Sequence, residues 1–177
     1  MSPQPTKNVR RPLLSRPGDI AIIVFFALHI PITLISGTQL ILPKWTKENF
    51  PDFALNAVSD YIRDTNDVLV IKRPLWFIST CWAEFFVQLP FYIYLIYALI
   101  ADSKHVRTAG IIYATHTCTC LVPILYEMVL DDSGMQTPEQ KWNTIGIYSV
   151  WFLMPLFILV SMIWRKEAGV KGKSKEE

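Results

Sequence analysis

Residues 74 to 101, PLWFISTCWAEFFVQLPFYIYLIYALIA, constrain the fold more than any other stretch. The run is almost wholly apolar and exceeds the roughly 20 residues that carry a helix across a bilayer at about 1.5 Å per residue. Near its middle stand Glu84 and Gln88, one helical turn apart, with Thr80 one turn earlier. A hydroxyl, a carboxyl and an amide therefore share one stripe of an otherwise oily helix. An ionisable group at membrane depth costs about 2.5 kcal/mol or more, so this stripe must face a partner or a wet cavity rather than lipid.

Three more apolar spans accompany it, over 20–42, 108–130 and 143–164. Together the four take up more than half of the 177 residues and leave no room for a soluble domain. They are oily nearly all round, which argues against a soluble helical protein with amphipathic faces. The predicted fold is all-α: a four-transmembrane-helix bundle with Pro-kinked helices around an intramembrane pocket. Each span carries one internal proline (Pro31, Pro90, Pro123 and Pro155), and a membrane helix tolerates proline where neighbours re-satisfy the freed carbonyl. The predicted divisions are a basic tail over 1–18, the membrane domain over 19–164, and a Lys-rich tail over 165–177.

The distribution of charge sets the expected orientation. Lys7, Arg10, Arg11 and Arg16 precede the first span, Lys104 and Arg107 separate the second from the third, and five basic residues follow the fourth. By the positive-inside rule both termini are expected in the cytosol. Basic tails suit an anionic lipid surface, and no nucleic acid is needed to explain them. The C-terminal KGKSKEE contains a K-x-K-x-x pattern similar to dilysine retrieval signals of the endoplasmic reticulum. Cys81, Cys118 and Cys120 all lie inside spans, so no disulfide framework is expected. Cys118 and Cys120 point to nearly opposite helix faces, so a metal pair is not expected either.

In chain order, His29, Thr33 and Ser36/Gly37 share one face of the first helix. The long connection 43–73 holds Trp45, Phe50, Phe53 and Tyr61 and a predicted short helix over 51–63 that caps the bundle. Asp67 follows as either a solvated turn residue or an acid at the mouth of a cavity. The third helix carries two adjoining polar stripes, His116, Cys120, Pro123 and Glu127 beside Tyr113, Thr117 and Cys120. Tyr148, Trp151 and Pro155 share a face of the fourth. For Glu84, three roles remain open on this reading: holding the polar end of a greasy ligand, moving a proton in lipid chemistry, or bonding to a neighbouring helix as structural glue. No phosphate loop, HExxH motif or nucleophile elbow is present. Neither a cofactor, a catalytic residue set nor a metal site is therefore expected.

HIPITL at 29–34, WF at 76–77, EFFVQLPF at 84–91, RTAGIIY and HTCTCLVPIL within 107–125, and Tyr148, Trp151 and Pro155 together resemble the sigma-2 receptor family of EXPERA-domain membrane proteins. That grouping also includes the sterol Δ8-Δ7 isomerases and a fungal efficient-mitochondria-targeting-associated branch. The resemblance implies a four-helix protein of the endoplasmic reticulum that binds sterols and hydrophobic amines, often as a homodimer, with client or partner membrane proteins in the fungal branch. It implies ligand-binding roles for Glu84, Gln88, His29, Tyr113 and Tyr148, with Asp67 supporting a ligand amine and Cys120 and Trp151 standing at further pocket positions. Gly37 stands where the receptors carry an amine-binding aspartate. Cys120 replaces a threonine and Trp151 a tyrosine, and Tyr148 stands where the isomerases have an asparagine. The missing second acid argues against isomerase activity. The expected function is sterol or lipid binding without catalysis, with an isomerase-like enzyme or a protein-interacting scaffold as alternatives.

Overall fold

The computed structural model describes residues 11–165. Lys7, Arg10 and the K-x-K-x-x pattern lie outside the described residues. No strand occurs among the described residues, and four helices are long and apolar enough to cross a membrane. We number the helices α1 (Pro17–Ile41), α2 (Pro43–Asn49), α3 (Asp52–Thr65), α4 (Val68–Lys72), α5 (Leu75–Ile100), α6 (Val106–Leu130) and α7 (Pro138–Ile163). The predicted spans are recovered within three residues at all but one end. The exception is the start of α7, five residues before the expected position. There Thr137 and Gln140 form a reciprocal capping box and Pro138 occupies the first turn, a combination that satisfies orphan donors and presets the backbone.

Near two of the four prolines the backbone departs from α geometry. The helical ladder widens to π geometry at Thr33–Gly37, just after Pro31, and at Glu84–Gln88, just before Pro90. Proline lacks an N–H and crowds the preceding turn, and a local π turn lets the neighbouring backbone re-pair. Around Pro123 and Pro155, by contrast, α6 and α7 remain α-helical.

α6 and α7 approach closely at Gly110, where a Cβ would stand 2.7 Å from Met162 Cγ. One core cluster joins Ile22, Phe26, Tyr92, Leu99, Tyr113 and Met162. The other joins Ile41, Leu69, Phe77, Leu121 and Met128. At the end where the chain enters α1, Asp19 binds Arg16 (2.5 Å) and Arg165 (2.6 Å). Asp102, in the α5–α6 turn, binds Arg11 at 3.0 Å. The Arg11 hydrogen bond holds the Asp102 carboxyl down at about 2. These pairs tie the start of α1, the α5–α6 turn and the end of α7 into one charged clamp.

At the opposite end, α2 to α4 form the cap expected over 43–73, with the predicted 51–63 helix found as α3. Asp67 is neither a solvated turn residue nor a lining acid. It is 0% exposed. Its Oδ1 caps α4 by accepting from the Leu69 and Val70 N–H groups at 2.9 and 3.3 Å, and its Oδ2 accepts from Tyr61 (2.6 Å) and Tyr148 (2.8 Å). Four donors make a buried carboxylate tolerable where one would not.

Candidate functional site

The two π turns pack against each other beside a cavity of about 170 Å³ between α1, α5, α6 and α7, and both contribute to its lining. Its polar lining includes His29, Thr33, Ser36, Thr80, Glu84, Gln88 and Thr117, and its apolar lining includes Leu40, Phe77, Leu121 and Ile124. The titratable groups and the amide collect toward one end because His29 and Thr33 lie one turn apart on α1 while Glu84 and Gln88 do so on α5.

Two hydrogen-bonded sets organise this end. Thr33 Oγ1 donates to Glu84 Oε1 at 2.7 Å, and His29 Nε2 stands 3.3 Å from the same oxygen. His29 Nδ1 is buried without a hydrogen-bond partner among the described residues. A histidine that donates through Nε2 and keeps Nδ1 as a bare acceptor suits this arrangement. The imidazole is fixed by Tyr92, stacked at 4.8 Å, and by Trp151 at 4.4 Å. In the second set, Gln88 is 5% exposed and its Oε1 accepts from Tyr92 (3.2 Å) and Thr117 (3.1 Å). The amide NH₂ is thereby left as the donor that Gln88 offers to the cavity. Glu84 keeps 28% of its side chain exposed, so the carboxyl is reachable even with both neighbours in place.

Of the eight residues predicted for the site, Glu84, Gln88, His29, Cys120, Tyr148 and Trp151 line the cavity. Tyr113 and Asp67 do not. Tyr113 turns into the core, edge-on to Phe26 at 5.0 Å and to Tyr92 at 5.5 Å. Asp67 stands behind Tyr148, whose hydroxyl it holds. Thr33 and Thr117 were absent from the predicted site, yet the signal was available. Thr33 lies four residues after His29, and Thr117 lies three before Cys120.

The cavity can hold an apolar body and offer its polar end a carboxyl, an amide and hydroxyls. Glu84 is the carboxylate in the lining, and no group of His, Cys, Asp and Glu among the described residues is arranged to hold a metal.

Comparison with known proteins agrees with this architecture. Residues 53–162 match EXPERA, the expanded EBP superfamily. The chain is 35% identical over 150 residues to sigma intracellular receptor 2 of Homo sapiens, covering 79% of this chain and 84% of the receptor. It is 27% identical over 160 residues to the Xenopus tropicalis receptor, covering 86% and 92%. It is 26% identical over 147 residues to efficient mitochondria targeting-associated protein 19 of Saccharomyces cerevisiae, covering 75% and 89%. This multi-pass membrane protein belongs to the EXPERA family, in its sigma-2 receptor group.

Proposed function

We propose that the protein binds a sterol or related hydrophobic ligand in the cavity between α1, α5, α6 and α7, without catalysing its conversion. The observation that carries the reading is the space itself. A void of about 170 Å³ lies against the Glu84 carboxyl, where tightly packed helices would have closed over it. The absence of turnover is supported by the shortage of acids. Glu84 lines the cavity, Gly37 lines it where the family resemblance implies a second acid, and Asp67 is engaged by four donors outside it. Proton transfer from one carbon and to another needs two placed groups.

The distribution of Lys and Arg supports cytosolic termini. The family and the K-x-K-x-x tail support residence in the endoplasmic reticulum. The proposed role is sterol or lipid homeostasis. Similarity to a yeast protein named for efficient mitochondria targeting supports a related part in handling precursor proteins at the same membrane.

A second reading has its own observation. The Thr33–Glu84 and His29–Glu84 contacts join α1 to α5, as structural glue would. Mass spectrometry of lipids that co-purify with the intact protein separates the two. The ligand reading expects a defined lipid in wild type that is depleted in Glu84→Gln at unchanged fold. Loss of folded protein in Glu84→Gln, with no defined lipid in wild type, would leave only glue.

A further inference from the structure

The cavity holds its carboxyl and imidazole at the His29–Glu84 end, and a charge opposite to that of the carboxylate stands just outside the lining, behind Leu40. Arg73 donates through Nη2 to the backbone oxygen of Leu40, and Leu40 lines the cavity. Arg73 is half-buried and stands two residues before α5, where a membrane span meets the head-group layer. Neighbouring cations have acids: Lys72 pairs with Asp131 at 3.1 Å, and Arg63 with Asp60 and Asp64. Among the described residues, no carboxylate lies within ion-pair distance of Arg73. Its backbone is left-handed (φ 51°), a conformation that favours glycine or asparagine, yet the position carries a guanidinium.

We propose that Arg73 forms an anion subsite at this end of the cavity. The preferred occupant is an amphiphile whose carboxylate or phosphate head pairs with the guanidinium while its apolar body lies along α1 and α5. The inference rests on the cavity being a ligand site. From Leu40 to His29 the lining runs eleven residues, or about 16 Å at about 1.5 Å each, which suits a slender apolar body. Glu84 lies nine residues into α5, about 14 Å along it. An anionic head at Arg73 is thus kept well away from the like charge. Planar, forked guanidinium groups match both carboxylate and phosphate. The competing role for Arg73 is as a cap on the carbonyl end of α1.

The test uses the full chain in nanodiscs, at mildly alkaline pH, with three photoactivatable probes of equal chain length: a fatty acid, the matching fatty alcohol and a lysophosphatidic acid. Labelled residues are mapped by mass spectrometry. Wild type is expected to label at cavity residues with the acid, the phosphate or both in preference to the alcohol; which of the two labels identifies the head group. Arg73→Gln is expected to lower anionic labelling about tenfold while alcohol labelling is retained, and Arg73→Lys to lower it less, because an ammonium keeps the charge and loses the fork. Equal labelling by alcohol and anions in wild type, or an equal loss of both in Arg73→Gln, overturns the subsite and leaves a cap. Absence of cavity labelling by every probe, and by a photoactivatable sterol run alongside them, overturns the ligand-site reading as well.

Discussion

Thr33 and Glu84 are the first residues of the two π turns, and the Thr33 hydroxyl donates to the Glu84 carboxyl across 2.7 Å. The backbone irregularities of α1 and α5 are therefore joined at the point where the cavity is most polar. π turns inside α-helices mark functional sites often enough to merit attention. Here they turn side chains on both helices toward one space.

Thr33→Val removes this donor and keeps the shape. Glu84 then retains His29 Nε2 at 3.3 Å, and the bond lost lies within the bundle. The expected cost is about 0.5–1.5 kcal/mol, read as a lowered unfolding midpoint in detergent. A loss above about 3 kcal/mol would mean that the pair holds the bundle together, which favours glue over a ligand site.

Tyr61 and Tyr148 share one oxygen of Asp67, so their contributions must be coupled. Tyr61→Phe and Tyr148→Phe are each expected to cost about 1 kcal/mol. The double variant should cost more than their sum, because each single variant leaves the carboxylate one hydroxyl and the double leaves none on Oδ2. Burial and the Asp67 charge hold the Tyr61 hydroxyl well above its ordinary range. Its phenolate should accordingly be absent from ultraviolet titration until the protein unfolds. Additive costs would show the two bonds to be independent.

The membrane spans were legible because a span must be apolar all round, and composition alone reveals that. The polar stripes were legible for the same reason, since a hydroxyl or carboxyl stands out against an oily run. The role of Asp67 was not, because it depends on Tyr148, 81 positions away. Tyr113 lies one turn before Thr117 and reads as the same stripe. Its ring, however, is drawn into an aromatic cluster with Phe26 and Tyr92 that no local pattern encodes. The π turns were hidden too: proline announces a disturbance without stating whether the ladder widens, as beside Pro31 and Pro90, or continues, as around Pro123 and Pro155. The early start of α7, by contrast, could have been read from the TPEQ of its capping box.

Gly37 lines the cavity, and a Cβ there would meet only Thr33 Cγ2, at an ordinary 3.7 Å. Gly37→Asp therefore introduces a second carboxyl beside the space with no clash at its Cβ. Hydrophobic amines should then bind about tenfold tighter or better than in wild type, because a charge-assisted bond in a low-dielectric site contributes about 1.5–3 kcal/mol. Radioligand displacement measures this directly. Unchanged amine affinity in a folded variant would show that the cavity is not where such ligands bind.

The charged clamp at the opposite end yields a prediction in pH. Asp102 has a folded pKa of about 2 against an ordinary 3.8, chiefly through its hydrogen bond from Arg11. A depressed acid contributes stability that is present above its unfolded pKa and lost as pH falls through its folded one. The clamp should therefore weaken between about pH 4 and about pH 2. Arg11 is more than half exposed (54%), so solvent screening brings the expected contribution down to about 1 kcal/mol. Asp102→Asn isolates the charge, since asparagine tolerates the left-handed backbone found there (φ 46°). The variant should lose about that amount at neutral pH and show a flatter acid limb in its unfolding midpoint. An acid limb as steep as that of wild type would show that Asp102 does not carry the pH sensitivity.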